Sequence, residues 1–322
     1  MLKAKKLFLS IMVVSIFVIG IFSLTSCNKG DDSGTIIDKE NFATIKNDYQ
    51  LYKESKPQVM PEGENIVIDG ANYDINGVTT DTLGNVTSII EIDVSKDKLD
   101  PTKGTQELKK LVECFVDIDQ SGYSQNDYQY IYDCIFDGNS SIQITNETKK
   151  ATLDKVVENS KNLINNRNSS TDKVLIHKSS GKVTWKVNIE KAGFYNLYLN
   201  YFTVSGYSSS IERKLMINGE IPFEGADSFT FSRVWKDDPQ SYDENGALKV
   251  DTNGNDIKPQ QIEVFTFKES YFKDDMGYVT EPYMFYFEEG ENEISLISIK
   301  EPILIDQLYI KSVSKTPTYK EY

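Results

Sequence analysis

The sequence predicts a mainly β fold, a sandwich of antiparallel layers with a small α-helical unit inserted in it. Three observations predict it. From Lys173 onward, short runs of alternating apolar and polar residues recur between Gly, Asn and Asp turn signals, as in half-buried strands. Between about Thr102 and Asn166 the apolar period lengthens to that of amphipathic helices. Before that stretch, two more short apolar runs at Ile66–Ile68 and Ile89–Val94 read as strands.

The elements divide the chain into a leader (1–27), a tether with a short helix (28–60), the first strands (61–101), the helical insert (102–170), the sandwich proper (171–314) and the start of a linker (315–322). In the leader, Lys3, Lys5 and Lys6 precede the apolar run Leu7–Leu24 and then Leu24-Thr25-Ser26-Cys27. A basic stretch, an apolar stretch and small residues make a secretory signal, although about 18 apolar residues also suffice to span a bilayer. Leu-Thr-Ser-Cys resembles the lipobox of bacterial lipoproteins, which implies that Cys27 is acylated and that the chain is extracellular and tethered to the cell membrane. The polar stretch after Cys27 has too few apolar residues to bury a core.

The formal net charge is −14. Removing residues 1–26 takes away three lysines and no acid, leaving −17. Such a chain repels phosphate backbones and is not a nucleic-acid binder. Cys114 and Cys134, 20 positions apart, are read either as a disulfide, which an oxidising exterior permits, or as two buried thiols on separate helices. With a single histidine and no finger-spaced Cys pair, a structural zinc site is not expected.

Along the chain, "FATIKNDYQLYKES" is a weak helix ended by Pro57, and "ENIVIDGANYDI" is a strand followed by an Asp69-Gly70 turn. Thr105–Gln120 carries Leu108, Leu111, Val112, Phe115 and Val116 at helical spacing. A second helix runs from Ser124, a candidate N-cap, to Gly138, a candidate stop, and a third places Leu153, Val156, Val157, Leu163 and Ile164 on one face. In "VTWKVNIEKAGFYNLYLNYFT", Trp185, Val187 and Ile189 share one face, with Trp185 expected in the core; the two halves are read as a hairpin whose second strand is covered on both sides. "RKLMINGEIPF" reads as strand, Asn218-Gly219 turn, strand. "QIEVFTFKESYF", "EPYMFYFEEG", "NEISLISIK" and "PILIDQLYIKSV" supply further strands.

These residues carry a resemblance. The x-A-G-x-Y type turn in "GKVTWKVNIEKAGFYNLYLNY", the small N-G hairpin of "NGEIPF" and the closing "ILIDQLYI" are similar to the galactose-binding-like jelly rolls of carbohydrate-binding modules. "SSSIERKLMINGEIPFEGADSFTFSRVWKDD", "DTNGNDIKPQQIEV" and "GYVTEPYMFYFEEGENEISLISIKEPILIDQLYI" resemble the sandwich region of large Gram-positive lipoproteins that serve as extracellular solute-binding proteins of ABC transporters. The resemblance covers Glu64–Val94 weakly and Lys173–Val313 well. It implies a non-catalytic module that binds oligosaccharide or polysaccharide, in company with a transporter permease, and it allows a structural calcium by analogy with no other cofactor. The helical insert falls outside the resemblance. Thr318 and Glu321 have capping-box spacing for a helix that does not follow, so the chain is read as a fragment or as a free-standing sandwich.

Enzymatic readings fare poorly. His177 ends a strand-like run beside Lys178 and Ser179, without nucleophile-elbow glycines, and is expected to be exposed. With 49 acidic residues some carboxylate pair always sits at a workable distance, so such a pair carries no information. "DTNGNDIKP" invites a calcium reading at Asp251, but Asn253-Gly254 is more simply a hairpin turn. Sugar recognition needs a flat aromatic face with convergent polar groups. Trp235, flanked by Arg233, Lys236, Asp237 and Asp238, offers one, either as a ligand surface or as a lid over the core, with Asn255, Asp256, Asp275, Tyr278 and Glu281 in neighbouring loops. Glu212 and Arg213 read as an ion pair in or across strands. The expected ligand-binding set is Trp235, Arg233, Asp237, Asn255, Asp256 and Tyr278. The alternatives are a structural or protein-interaction spacer that touches no sugar and, more weakly, a glycoside hydrolase or its accessory.

Overall fold

In the computed structural model the described residues are 48–116 and 122–313. The leader, Cys27, the tether before residue 48 and the linker after residue 313 lie outside them. Among the described residues no helix is long and apolar enough to cross a membrane.

The chain is a two-layer antiparallel sandwich of jelly-roll type, organised around one strand. That strand, β5 (Gly193–Thr203), alternates Tyr195, Leu197, Leu199 and Tyr201 on one side with Phe194, Tyr198 and Phe202 on the other, and all of its residues are buried. Along one edge it pairs with β13 (Ile303–Ser312), along the other with β10 (Phe267–Tyr271) and β11 (Met284–Phe287) in tandem. On its far side β13 pairs with β3 (Lys173–His177) and then β1 (Asn65–Asp69), and β2 (Ile89–Asp93) closes that edge. The opposing layer runs β4 (Gly181–Ile189), β12 (Gly290–Lys300), β6 (Ile211–Ile217) and β7 (Phe229–Phe231).

The expected hairpin across Lys191-Ala192-Gly193 is therefore an arch: β4 and β5 follow one another in sequence but belong to different layers. Their alternating apolar faces look at each other across the core, where Val183, Trp185 and Ile189 meet Tyr195, Leu197 and Leu199. Trp185 is fully buried, and its indole N–H donates to the Gly70 carbonyl at 3.0 Å. Gly70 is required there, because a Cβ would lie 2.1 Å from the Ile305 carbonyl oxygen. The Asn218-Gly219 turn forms with φ of 52° and 83°. Only the Ile217–Glu220 bridge follows it, so "EIPF" adds no strand. Pro222 has no N–H to give a ladder, and β7 takes the β6 edge only at Ile211–Arg213.

The helices after residue 95 form a third layer on the outer face of the larger sheet, and the one before them lies at its β11 edge. The helices are α1 (Asp48–Ser55), α2 (Lys96–Leu99), α3 (Gln106–Glu113), α4 (Gln125–Phe136) and α5 (Glu147–Asn165). Leu108, Leu111, Val112, Ile131, Leu153, Val156 and Leu163 pack with Ile92, Val174, Ile176, Phe202 and Leu304 of the sheet in a second core. The stretch expected to be helical through Gln120 leaves the helix after Glu113, where the Cys114 carbonyl accepts from the Ser205 N–H at 2.7 Å, and its residues 117–120 lie outside the described residues. Ser124 caps α4 in a reciprocal box with Asp127, and Gly138 follows the C-cap with φ 85°. Cys114 and Cys134 are free thiols, so the disulfide alternative is not realised. Cys114 donates to the Lys110 carbonyl at the end of α3, and Cys134 lines a groove with Ile142 and Ile144.

One carboxylate fastens the helical layer to the sheet. Asp306 is the extra residue of a β-bulge where β13 passes β5. Its side chain accepts from Arg167 Nε (3.3 Å), from the backbone N–H of Asn168 (2.9 Å) and Ser169 (3.2 Å), and from Asn200 Nδ2 (3.3 Å). Both charged partners are almost wholly out of solvent. Asp306→Asn strips the charge from a buried pair and is expected to cost about 3–5 kcal/mol of unfolding free energy. Urea denaturation checks this, and a loss under about 1 kcal/mol contradicts it.

Candidate functional site

The sequence-predicted residues assemble around a two-stranded ribbon, β8 (Val234–Asp237) paired with β9 (Gln261–Val264). Two short strands alone are marginal in water, so something must hold the ribbon. That is Arg233, at its base. The guanidinium is buried and donates to the carbonyls of Ser209 (3.0 Å) and Val204 (2.9 Å), to Glu301 (2.8 Å) and to Glu263. Arg213 lies next to it, fully buried, its guanidinium bonded to the carbonyls of Glu212, Lys300, His177 and Glu301. Burial, with Arg233 beside it, lowers the Arg213 pKa to about 9. Two arginines thus face two glutamates inside the molecule, a charge-balanced cluster.

Glu301 is the hub. It sits in the turn from β12 to β13, where the chain changes layer, with φ 60°. Its carboxylate accepts from the Tyr207 N–H (2.9 and 3.1 Å), the Ser209 N–H (3.3 Å) and the Ser209 hydroxyl (2.7 Å). Burial alone would raise this carboxyl, but those bonds and Arg233 outweigh it and hold it below the usual glutamate range. Loop 204–210 closes on it only because residue 206 is glycine: a Cβ there would lie 2.0 Å from Glu301 Oε2. Ser208, at φ 56°, bonds Glu263 through its hydroxyl.

Two aromatic side chains stand out of this rigid base. Trp235, directly opposite Glu263 on the ribbon, is 44% exposed, and Tyr207 is 90% exposed. Beside Trp235, Asp237 accepts from Gln261 and from the Tyr242 hydroxyl. The arrangement presents aromatic faces and hydrogen-bonding groups side by side.

The six predicted residues do not form one site. Arg233 is spent on the internal cluster, a correction that follows from its burial. Trp235 and Asp237 share the ribbon. Asn255 and Asp256 lie farther along the β8–β9 connection, where Asp251 accepts from the N–H groups of Asn253 (2.8 Å) and Asn255 (2.9 Å). The same Asp-x-x-Gly-x turn recurs at Asp81 and Asp243. Its carboxylate faces N–H donors, the geometry of a hairpin turn. Among the described residues no three His, Cys, Asp or Glu side chains gather as a metal-holding group.

Tyr278 belongs to a different place, a cleft of about 470 Å³ between α1 and the β10–β11 loop, lined also by Tyr49, Lys53, Asn196, Glu281 and Met284. Asn196 lies eight residues before Val204 on and just beyond β5, so cleft and ribbon are roughly 26 Å apart at an extended strand's rise. Helix α1 covers a sheet edge here: the phenolic oxygens of Tyr49 and Tyr52 accept the Met284 and Tyr286 N–H groups of β11 at 2.9 and 2.8 Å.

His177 corrects another expectation. It ends β3 but is wholly buried, with Nε2 3.2 Å from the Gly181 carbonyl and no partner for Nδ1. Glu212 pairs across strands with Lys300 at 2.8 Å, while Arg213 does not pair with Glu212's carboxylate. Sequence reasoning missed Glu301, Glu263 and Tyr207. The signals were a Glu-Pro between two apolar strands and a lone aromatic in the "SGYSSS" loop.

No family model and no curated protein matches the chain. Among solved structures it is similar to a family 35 carbohydrate-binding module from Clostridium thermocellum, at 17% identity over 46% of this chain and 82% of that one, with a TM-score of 0.27. It is likewise similar to such modules from Paenibacillus barcinonensis (12%, 46% and 82%, TM-score 0.26) and Cellvibrio japonicus (16%, 47% and 81%, TM-score 0.26).

Burial, then the charge of Arg213, pushes the His177 pKa from 6.5 down to about 3. Between those values the unfolded chain binds the extra proton, so stability is full above pH 6.5 and falls as pH drops, by up to about 1.4 kcal/mol per unit. His177→Phe is expected to flatten denaturation midpoints between pH 6 and 5; an unchanged slope contradicts the assignment.

Proposed function

We propose that this chain is a non-catalytic glycan-binding module, held outside a bacterial cell by a lipid on Cys27 and accessory to the sugar-binding component of an ABC importer. The observation that carries the binding reading is Trp235: a large aromatic left 44% exposed on a ribbon that a buried ion-pair cluster fixes in place. An indole face covers the C–H side of a pyranose, and neighbouring carboxylates and amides take its hydroxyls. Pre-organisation lowers the ordering cost of that contact. The non-catalytic reading is supported by His177, which is buried and neutral at physiological pH, and by the commitment of Glu263 and Glu301 to Arg233. The surface reading rests on the basic, apolar and lipobox pattern of residues 1–27. A tethered binder would raise glycan concentration beside an importer.

Trp235→Ala is expected to weaken retention on the bound polysaccharide by about 2 kcal/mol, some thirtyfold, with the thermal midpoint unchanged. Affinity electrophoresis in gels containing soluble xylan, galactomannan or polygalacturonate measures it. Retention by none of them favours the spacer reading, and equal retention of both proteins removes Trp235 from the binding surface.

A further inference from the structure

The cleft at Tyr278 is built for the same kind of ligand, at the other end of the sandwich. We propose that it is a second carbohydrate site, independent of Trp235, which takes the terminal sugar of a glycan while the next sugar rests against Tyr271, the exposed member of a row of three tyrosines. The inference rests on the glycan-binding reading above.

The cleft has the size of a small-ligand pocket, about 470 Å³. Its aromatic surface comes from Tyr278, which is 81% exposed, while the Tyr49 ring beneath is buried. Its polar groups are a donor and an acceptor: Lys53 lies 4.8 Å over the Tyr49 ring, Glu281 also lines the wall, and among the described residues neither has an ion-pair partner. The floor is fixed, since the Asn196 amide donates to the Tyr283 carbonyl at 3.0 Å. The loop that bears Tyr278 is fixed as well, because the Asp274 carboxylate accepts from the N–H groups of Met276 (2.9 Å) and Val279 (2.8 Å). A polyol can hydrogen-bond both Lys53 and Glu281.

The row begins two residues from the floor, on the same face of β5, which is about 7 Å away. Tyr309, Tyr198 and Tyr271 stand in register on three adjacent strands, with ring centroids 4.8 and 5.2 Å apart. Helices cover the far end of this face over Phe202 and Leu304; here Tyr198 is buried and Tyr271, at the edge, is 39% exposed. The Tyr309 hydroxyl bonds Gln307, and the Lys311 ammonium lies 4.2 Å over the Tyr198 ring. The rings are inclined to one another by 48° and 60°, so the exposed Tyr271 alone offers its face to a sugar that extends from the cleft. Two sites about 26 Å apart on one rigid module give avidity for a long polysaccharide that neither site supplies alone.

Titration calorimetry tests this with tetrasaccharides cut from whichever of xylan, galactomannan or polygalacturonate retains the full chain. Two tetrasaccharides per chain are expected, one for Trp235→Ala, one for Lys53→Ala with Tyr278→Ala, and none for all three substitutions together. Tyr271→Ala is expected to weaken the cleft site at least fivefold without changing the count. A count of one that Trp235→Ala abolishes overturns the second site and leaves the Trp235 reading standing. Binding that survives Trp235→Ala but not the cleft variant does the reverse. Retention on none of the three polysaccharides overturns both. Lys53 and Tyr278 sit at the surface, so unchanged thermal midpoints exclude misfolding.

Discussion

The interior charge cluster of Arg213, Arg233, Glu263 and Glu301 is the constraint on which this end of the molecule depends. It sits where β12 passes into β13, so it closes the layer crossing. It also gathers a loop, a ribbon and a strand end that have little apolar surface of their own. Charges are costly to bury, and the cost is offset here only because each guanidinium and carboxylate is met by several partners. The yield is rigidity: Trp235 and Tyr207 project from segments that would otherwise move. The same logic recurs at the opposite edge with weaker means. There α1 is seated through tyrosine oxygens that satisfy the free N–H groups of β11.

Alternation made the long strands legible. β4, β5, β12 and β13 are long enough for a period of two to be unmistakable, and the wholly apolar-flanked β5 announced a strand covered on both sides. The helices were legible from their spacing and from Ser124 and Gly138. Pairing partners were not, because period two says which face is buried and nothing about which neighbour supplies the ladder. So the link across Gly193 read as a hairpin when it is an arch, and "EIPF" read as a strand when it makes a single bridge to β6 before Pro222.

The site was half legible for a related reason. Trp235 among charges was visible as an aromatic out of place. That Arg233 would turn inward was not, since its partners Glu263 and Glu301 lie 30 and 68 residues downstream and only the fold brings them together. Local chemistry, by contrast, read correctly: Asp251 to Asn255 is the hairpin its Asn-Gly suggests, because the hydrogen bonds that define it close within five residues. His177 failed in the opposite direction, its neighbours Lys178 and Ser179 giving no hint that Arg213 and the second sheet would cover it.

The central claim is that a glycan lies against Trp235. The chain has two tryptophans, one wholly buried and one half exposed, so acrylamide quenching of intrinsic fluorescence reports mainly on Trp235. Saturating oligosaccharide from a polysaccharide that retains the protein should protect the quenchable fraction. Retention on that polysaccharide with quenching unchanged would place recognition away from Trp235 and contradict the account.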